Sequence, residues 1–237
     1  MTSPISFKKA IAAGLLSLAG ITGLTQAQEP PSDSVVHLPA TAIFATENNG
    51  KFAVITDTGR FIIQGTVYDV WDQKSITTLD EARWAATHIP LDKANVGFDD
   101  LAPMRVGSGD KPVYLFSDLQ CGFCKQLIDE ARKGLPSGYR LEVILLPLLS
   151  EQSAQRTAEI NCAVDEAQAW QVAMSGDMSK PLAQKPEDQC DQATPTRRMI
   201  TAQFIGARNV PFMIRDDGLI QQGMPQNGLR DWIQSNR

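Results

Sequence analysis

At 237 residues, 43% hydrophobic and 21% charged, the chain has the composition of one large or two ordinary globular domains, which excludes disorder, collagen and repeat arrays. Lys and Arg number 22 against 27 Asp and Glu, a net charge of -5, so no basic field exists to hold a nucleic-acid backbone. Two histidines, His37 and His88, and four cysteines, all beyond residue 120, leave few ways to build a metal site and point to sulfur as the carrier of any chemistry.

In chain order, Lys8-Lys9 precede an uncharged apolar run from Ala10 to Leu24, followed by Thr25-Gln26-Ala27. That pattern predicts a secretory signal peptide over 1-27, since a retained membrane span needs about 20 apolar residues and this run is shorter. No later stretch is long enough, so no stable membrane insertion is expected, and an exported chain meets an oxidising compartment. Residues 28-34 read as a flexible lead. Lys51 to Thr56 and Arg60 to Gln64, joined by Asp57-Thr58-Gly59, predict a β-hairpin, and Thr66 to Trp71 a bulge or third strand after Gly65. Helical spacing starts at Leu79, and Pro90, Gly97 and Pro103 mark a linker that runs to Gly109.

Beyond it, Pro112 to Asp118 predicts a short apolar strand, Cys124 to Lys133 a helix stopped by Gly134, and Leu141 to Leu146 a buried strand stopped by Pro147. Gln152 to Met178 reads as one long helix, with Trp170, Met174 and Met178 on a packed face, and Thr196 to Ile205 as another. Phe212-Met213-Ile214, a turn at Arg215 to Gly218, Leu219-Ile220 and a helix from Leu229 complete an α+β order.

Cys121-Gly122-Phe123-Cys124 falls where the first of these strands ends and its helix begins. A thiol at a helix N-terminus feels unpaired N-H groups, which favour thiolate and lower its pKa below the free value of about 8.5, so Cys121 is the candidate nucleophile. Cys124 is close enough in sequence to resolve any mixed disulfide formed by Cys121. The pair has two other uses, a structural bridge and half of a zinc site. Zinc needs a second close pair or histidines, whereas Cys162 and Cys190 stand isolated, and so short a loop constrains the unfolded chain little. Asp118, three residues before Cys121, is read either as tuning the thiol or as a turn or capping residue.

Phe116 through Cys124 resembles the active-site segment of the DsbC/DsbG family of bacterial periplasmic thiol:disulfide isomerases, in the thioredoxin-fold superfamily. Ile55 to Gly65 and Tyr68-Asp69-Val70 are similar to that family's N-terminal dimerisation domain, and Val210-Pro211-Phe212 to the loop whose cis-proline faces the active-site cysteines. The resemblance implies an α+β fold with a β-rich dimerisation domain over 28-89, a linker helix, a linker over 90-108, and a thioredoxin-like catalytic domain with a helical insertion over 109-237. It also implies catalytic Cys121 and Cys124, an active-site surface that includes Gly122, Phe123, Val210 and Pro211, and a structural disulfide between Cys162 and Cys190. Its further implications are a periplasmic homodimer with no metal or organic cofactor, exported proteins with non-native disulfides as substrates, and a DsbD-type membrane reductase as electron donor. Two positions depart from pattern. Val210 stands where the family usually carries Thr and where DsbA-type oxidases carry Val, which keeps a thiol oxidase as an alternative; a chaperone using the dimer cleft is the other. Leu115 stands where thioredoxins carry a buried Asp.

Overall fold

The computed structural model describes residues 35-37, 43-48 and 50-235. The expected signal peptide and lead lie outside the described residues, as does the side chain of His37.

Strands β1 (Val35–His37), β2 (Ile43–Asn48), β3 (Lys51–Thr56) and β4 (Ile62–Ile63) form an antiparallel sheet in that order. The predicted hairpin is its β3-β4 pair. Gly59 supplies the positive φ that its tight turn demands, and its N-H donates to the Thr56 carbonyl at 2.9 Å. The expected third strand is instead its own hairpin: β5 (Val67–Asp69) pairs with β6 (Lys74–Ile76). Asp69 forces that reversal, since its carboxylate accepts from the N-H groups of Trp71 and Asp72. Helix α1 (Leu79–Thr87) starts on a capping box between Thr78 and Glu81, and packs Leu79 and Ala82 against Ala45, Val54 and Ile76.

A five-stranded sheet follows, ordered β11-β10-β8-β9-β7. Its members are β7 (Met104–Val106), β8 (Lys111–Ser117), β9 (Tyr139–Leu145), β10 (Phe212–Ile214) and β11 (Ile220–Gln222). Only β8 and β9 run parallel, joined through helix α2 (Gly122–Lys133). β7 corrects the linker reading of 90-108: three residues read as connection are an edge strand paired with β9. Phe98 and Leu101, also in the expected linker, and Ile89, at the end of the expected N-terminal domain, are buried against this sheet.

The strands alternate between two cores. Val113, Leu115, Leu141, Val143 and Met213 face Leu127, Ile128, Leu229 and Trp232, from α2 and from α6 (Gly228–Gln234). Phe116, Ile144, Phe212 and Ile214 face Leu101, from the segment before β7, and Ala202 and Ile205, in and just after α5 (Ala193–Phe204). The single helix expected over 152-178 is two, α3 (Glu151–Asn161) and α4 (Glu166–Ser175). Between them Ala163 bridges Gln184, and Asp165 caps a new helix start through the N-H of Gln168. Trp170, Met174 and Met178 do share one core, Met178 lying past the end of α4. Among the described residues no helix is long and apolar enough to cross a membrane.

Candidate active site

Three chain segments meet at one edge of the five-stranded sheet. Parallel pairing aligns Ser117 with Leu145, so the residues after β8 and after β9 leave side by side. Antiparallel pairing of Phe212 with Phe116 brings the start of β10, with Val210 and Pro211, to the same edge on the other flank of β8. The turn that carries Cys121 therefore lies between the 146-149 segment and the 210-211 segment. The carboxyl ends of parallel strands are where open sheets place their ligand sites.

Cys121 is the N-cap of α2 and is disulfide-bonded to Cys124, with the Cα atoms 5.2 Å apart. Cys121 is 7% exposed and Cys124 is fully buried, so an incoming sulfur meets Cys121 first. The Cys124 N-H points at the Cys121 sulfur over 3.1 Å, and in the reduced state that donor and the orphan N-H groups around it favour thiolate. No cation is needed for this. Gly122 is exposed with open space where a side chain would stand, and Phe123 displays its ring at 62% exposure. The Val210-Pro211 bond is cis, as expected for the loop facing a thioredoxin-like cysteine pair. Pro211, the residue before β10, is buried and its carbonyl accepts from the Gly223 N-H, while Val210 before it packs on the aromatic core. Leu115 is wholly buried among apolar side chains.

The turn is held by Asp118, 2% exposed. Its Oδ1 accepts from the Gln120 N-H at 2.8 Å and the Ser153 hydroxyl at 2.6 Å, and its Oδ2 from the N-H groups of Leu148 at 2.8 Å and Leu149 at 3.0 Å. Its own carbonyl accepts from the Cys121 N-H. Of the two readings of Asp118, the turn role is the one built here: four donors saturate the carboxylate and tie the cysteine turn to the start of α3. A second bracket of side chains, Ser150 to Gln120 and Gln120 to Gln152, runs over the surface of the same junction. Sequence reading missed this brace because its partners lie some thirty residues away; its only local sign was an acid three places before the cysteine.

Cys162 and Cys190 are bonded across the helical insertion, remote in sequence from the other pair, at the end of α3 and beyond α4. His88 stacks on Trp84 and its Nδ1 meets the Thr87 hydroxyl, outside any site. Among the described residues no group of three or more His, Cys, Asp or Glu is placed to hold a metal ion.

A disulfide-bonded Cys-x-x-Cys pair at a helix start, on a sheet with a parallel β-α-β centre and a cis-proline strand beside it, defines a thioredoxin-like thiol-disulfide oxidoreductase. Within that class the chain is similar to the DsbC and DsbG thiol:disulfide interchange proteins. It is 23% identical to DsbC of Dickeya dadantii over 180 residues, 75% of this chain and 69% of that one. It is 25% identical to DsbG of Pseudomonas aeruginosa over 189 residues, 76% of this chain and 73% of that one. A disulfide interchange protein from Neisseria gonorrhoeae superposes with a TM-score of 0.47 at 24% identity, over 60% of this chain and 98% of that one. No protein-family model matches the chain.

Proposed function

We propose that the chain is a periplasmic thiol:disulfide isomerase that rearranges or reduces wrong disulfides in exported proteins. The observation that carries this reading is the unequal burial of the pair: a Cys121 sulfur that keeps some exposure and meets an N-H donor, backed by a sealed Cys124. The Cys121 thiolate attacks a substrate disulfide, forming a mixed disulfide and releasing one substrate sulfur as thiolate, which takes up a proton. If another substrate thiolate then attacks the mixed bond, Cys121 leaves reduced and the substrate is isomerised with no net electron transfer. If Cys124 attacks instead, the substrate leaves as dithiol, two electrons poorer is the protein, and the Cys121-Cys124 bond must be reopened by an external donor. By resemblance that donor is a DsbD-type membrane reductase. The cycle uses no metal or organic cofactor.

Export through a signal peptide over 1-27 and homodimerisation through the N-terminal unit belong to the same proposal. β4 is an edge strand that exposes Ile62 and Ile63 beside an exposed Phe61, a surface suited to pairing with a copy of itself. The catalytic unit of the proposal starts near Ile89, because the segment after it packs on the five-stranded sheet.

A thiol oxidase is the second reading, favoured by Val210. Recovery of scrambled ribonuclease, measured beside oxidation of reduced ribonuclease, separates the two: isomerase action requires the first to be fast when the protein is supplied reduced. Oxidation alone would overturn the isomerase reading. Suppression of aggregation that survives in Cys121→Ala would identify a holding chaperone.

A further inference from the structure

A cavity of about 350 Å3 opens between β7, the segment before it and the α3-α4 junction, with Arg198 of α5 among its walls. None of its lining residues belongs to the three segments that build the Cys121 site. Arg198 is only 2% exposed. Its Nε donates to the Leu101 carbonyl at 2.8 Å and its Nη2 to the Ala102 carbonyl at 3.1 Å, which fastens the segment before β7 to α5. Its Nη1 is also buried and has no partner among the described residues. Burial, aided by the Arg197 charge, pushes the guanidinium pKa down to about 10, which still leaves it cationic at neutral pH. The acids around the cavity are engaged elsewhere: Asp191 by Arg197 and Thr194, Glu142 by Arg105 and Arg140, and Glu166 by Lys185 at 3.7 Å. Arg105, Lys185 and Arg198 thus line the cavity against a single acid, Glu166.

We infer that this cavity binds a small monocarboxylate with an aliphatic or aromatic body, the carboxylate held by Arg198 and Lys185 and the body by Ile160, Ala169 and Trp170. If Arg198 served only to tether two carbonyls, a neutral amide could do the same without burying a charge. A guanidinium with one nitrogen to spare calls instead for an acceptor that carries one negative charge. A carboxylate offers two oxygens, one for Nη1 and one for the Lys185 ammonium. Inorganic phosphate fits less well, because the remaining wall is apolar: Ile160 and Ala169 are buried and Trp170 half-buried. Few polar groups in an apolar wall are the usual make-up of a small-molecule site. The insertion's disulfide gains a use here. Cys162 stands between the lining residues Asn161 and Ala163, and its carbonyl accepts from the Lys185 N-H at 2.7 Å, so its bond to Cys190 steadies the wall that carries Lys185.

Isothermal titration calorimetry of the oxidised protein with 3-phenylpropionate tests this. Saturable binding at one site is expected, with 3-phenylpropionamide, which has the body without the charge, and acetate, which has the charge without the body, each at least about tenfold weaker. The C-terminal residue of a polypeptide offers the same chemistry, so alanyl-alanyl-phenylalanine and its C-terminal amide form a second arm. Binding of the free acid alone names a small-molecule ligand, binding of the tripeptide as well names a chain terminus, and both uphold the site. Arg198→Lys should weaken 3-phenylpropionate about tenfold, but it also disturbs the tether to Leu101 and Ala102. Two variants at the Lys185-Glu166 pair avoid that: Lys185→Gln should weaken binding about twofold to threefold and Glu166→Gln should strengthen it by as much. No binding at millimolar concentrations, equal affinity for acid and amide, or indifference to both variants of the pair would overturn the site.

Discussion

Asp118→Asn is the most searching perturbation of the site because it keeps the shape of the side chain and changes only charge and donor pattern. The carboxylate has two donors at each oxygen: two backbone N-H groups at Oδ2, and one backbone N-H with the Ser153 hydroxyl at Oδ1. The amide of Asn must present its NH2 to one of these pairs. Turned toward Leu148 and Leu149 it opposes two N-H donors; turned toward Ser153 it can donate to a rotated hydroxyl and opposes one, the Gln120 N-H. The second orientation therefore wins, and it still leaves a donor unpaired, at about 1 to 3 kcal/mol. The two bonds retained at the other end drop from charge-assisted to ordinary strength, roughly 1 kcal/mol each. The sum is about 3 to 5 kcal/mol. Urea unfolding of the oxidised protein reads it: with a slope of about 1 to 3 kcal/mol per molar, the midpoint should fall by at least about 1 M. Hydrogen exchange at the Leu148 and Leu149 amides should accelerate with it. A midpoint within about 0.3 M of the parent would refute the reasoning, because it would mean that water replaces the brace at no loss.

Cys124→Ala should accumulate substrate on Cys121 as mixed disulfides visible on non-reducing gels, while Cys121→Ala traps nothing; equal trapping would reverse the roles drawn from their burial. Replacing Cys162 and Cys190 together by Ser should lower stability by about 3.5 kcal/mol through the freed unfolded loop, with the Cys121-Cys124 potential, followed by titration against glutathione, little changed. The Lys93 ammonium, bonded to Asp72 at 2.6 Å, holds that carboxyl below its ordinary range, aided by Lys74. A depressed folded pKa gives stability that is present above the unfolded value of about 3.9 and is lost as pH falls through the folded one. Asp72→Asn should thus destabilise at neutral pH and flatten the acid limb of a denaturation series below about pH 4; an unchanged limb would rule the pair out as a contributor. The chain from Gln28 should run as a dimer in light scattering and a chain from Ile89 as a folded monomer, and a monomeric longer form would refute pairing through β4.

What the sequence disclosed follows from the range of the interactions involved. The Cys121 pair was legible because a strand, a tight turn and a helix start are all local, as was the β3-β4 hairpin with its Asp57-Thr58-Gly59 turn. The Val210-Pro211 loop was legible only through resemblance, since nothing within ten residues of it says that it lies beside Cys121. β7 was missed because Met104, Arg105 and Val106 are too few to show a period, and only pairing with β9 makes them a strand. The break between α3 and α4 escaped because Cys162 to Asp165 is compatible with a helix until the bridge of Ala163 to Gln184 competes for the backbone. Asp118 was legible as either a thiol-tuning acid or a turn residue and is the second; what could not be read is that both its oxygens serve a segment thirty residues on.

Gly176 caps α4, and a side-chain carbon there would come within 2.9 Å of the Leu119 carbonyl, in the turn that leads to Cys121. Residues from Asp118 to Gly176 must therefore all be in place before that turn has its final surroundings. A chain that emerges N-terminus first from the ribosome exposes Cys121 and Cys124 early, with neither Ser153 nor the end of α4 yet available to seat them. For that interval the two thiols are ordinary cysteines on a growing chain, open to any oxidant or to a neighbour's sulfur. The chain is thus, during its own birth, a client of the thiol-disulfide chemistry proposed for it, and its Cys121-Cys124 pair is seated only by supports made well after the cysteines themselves.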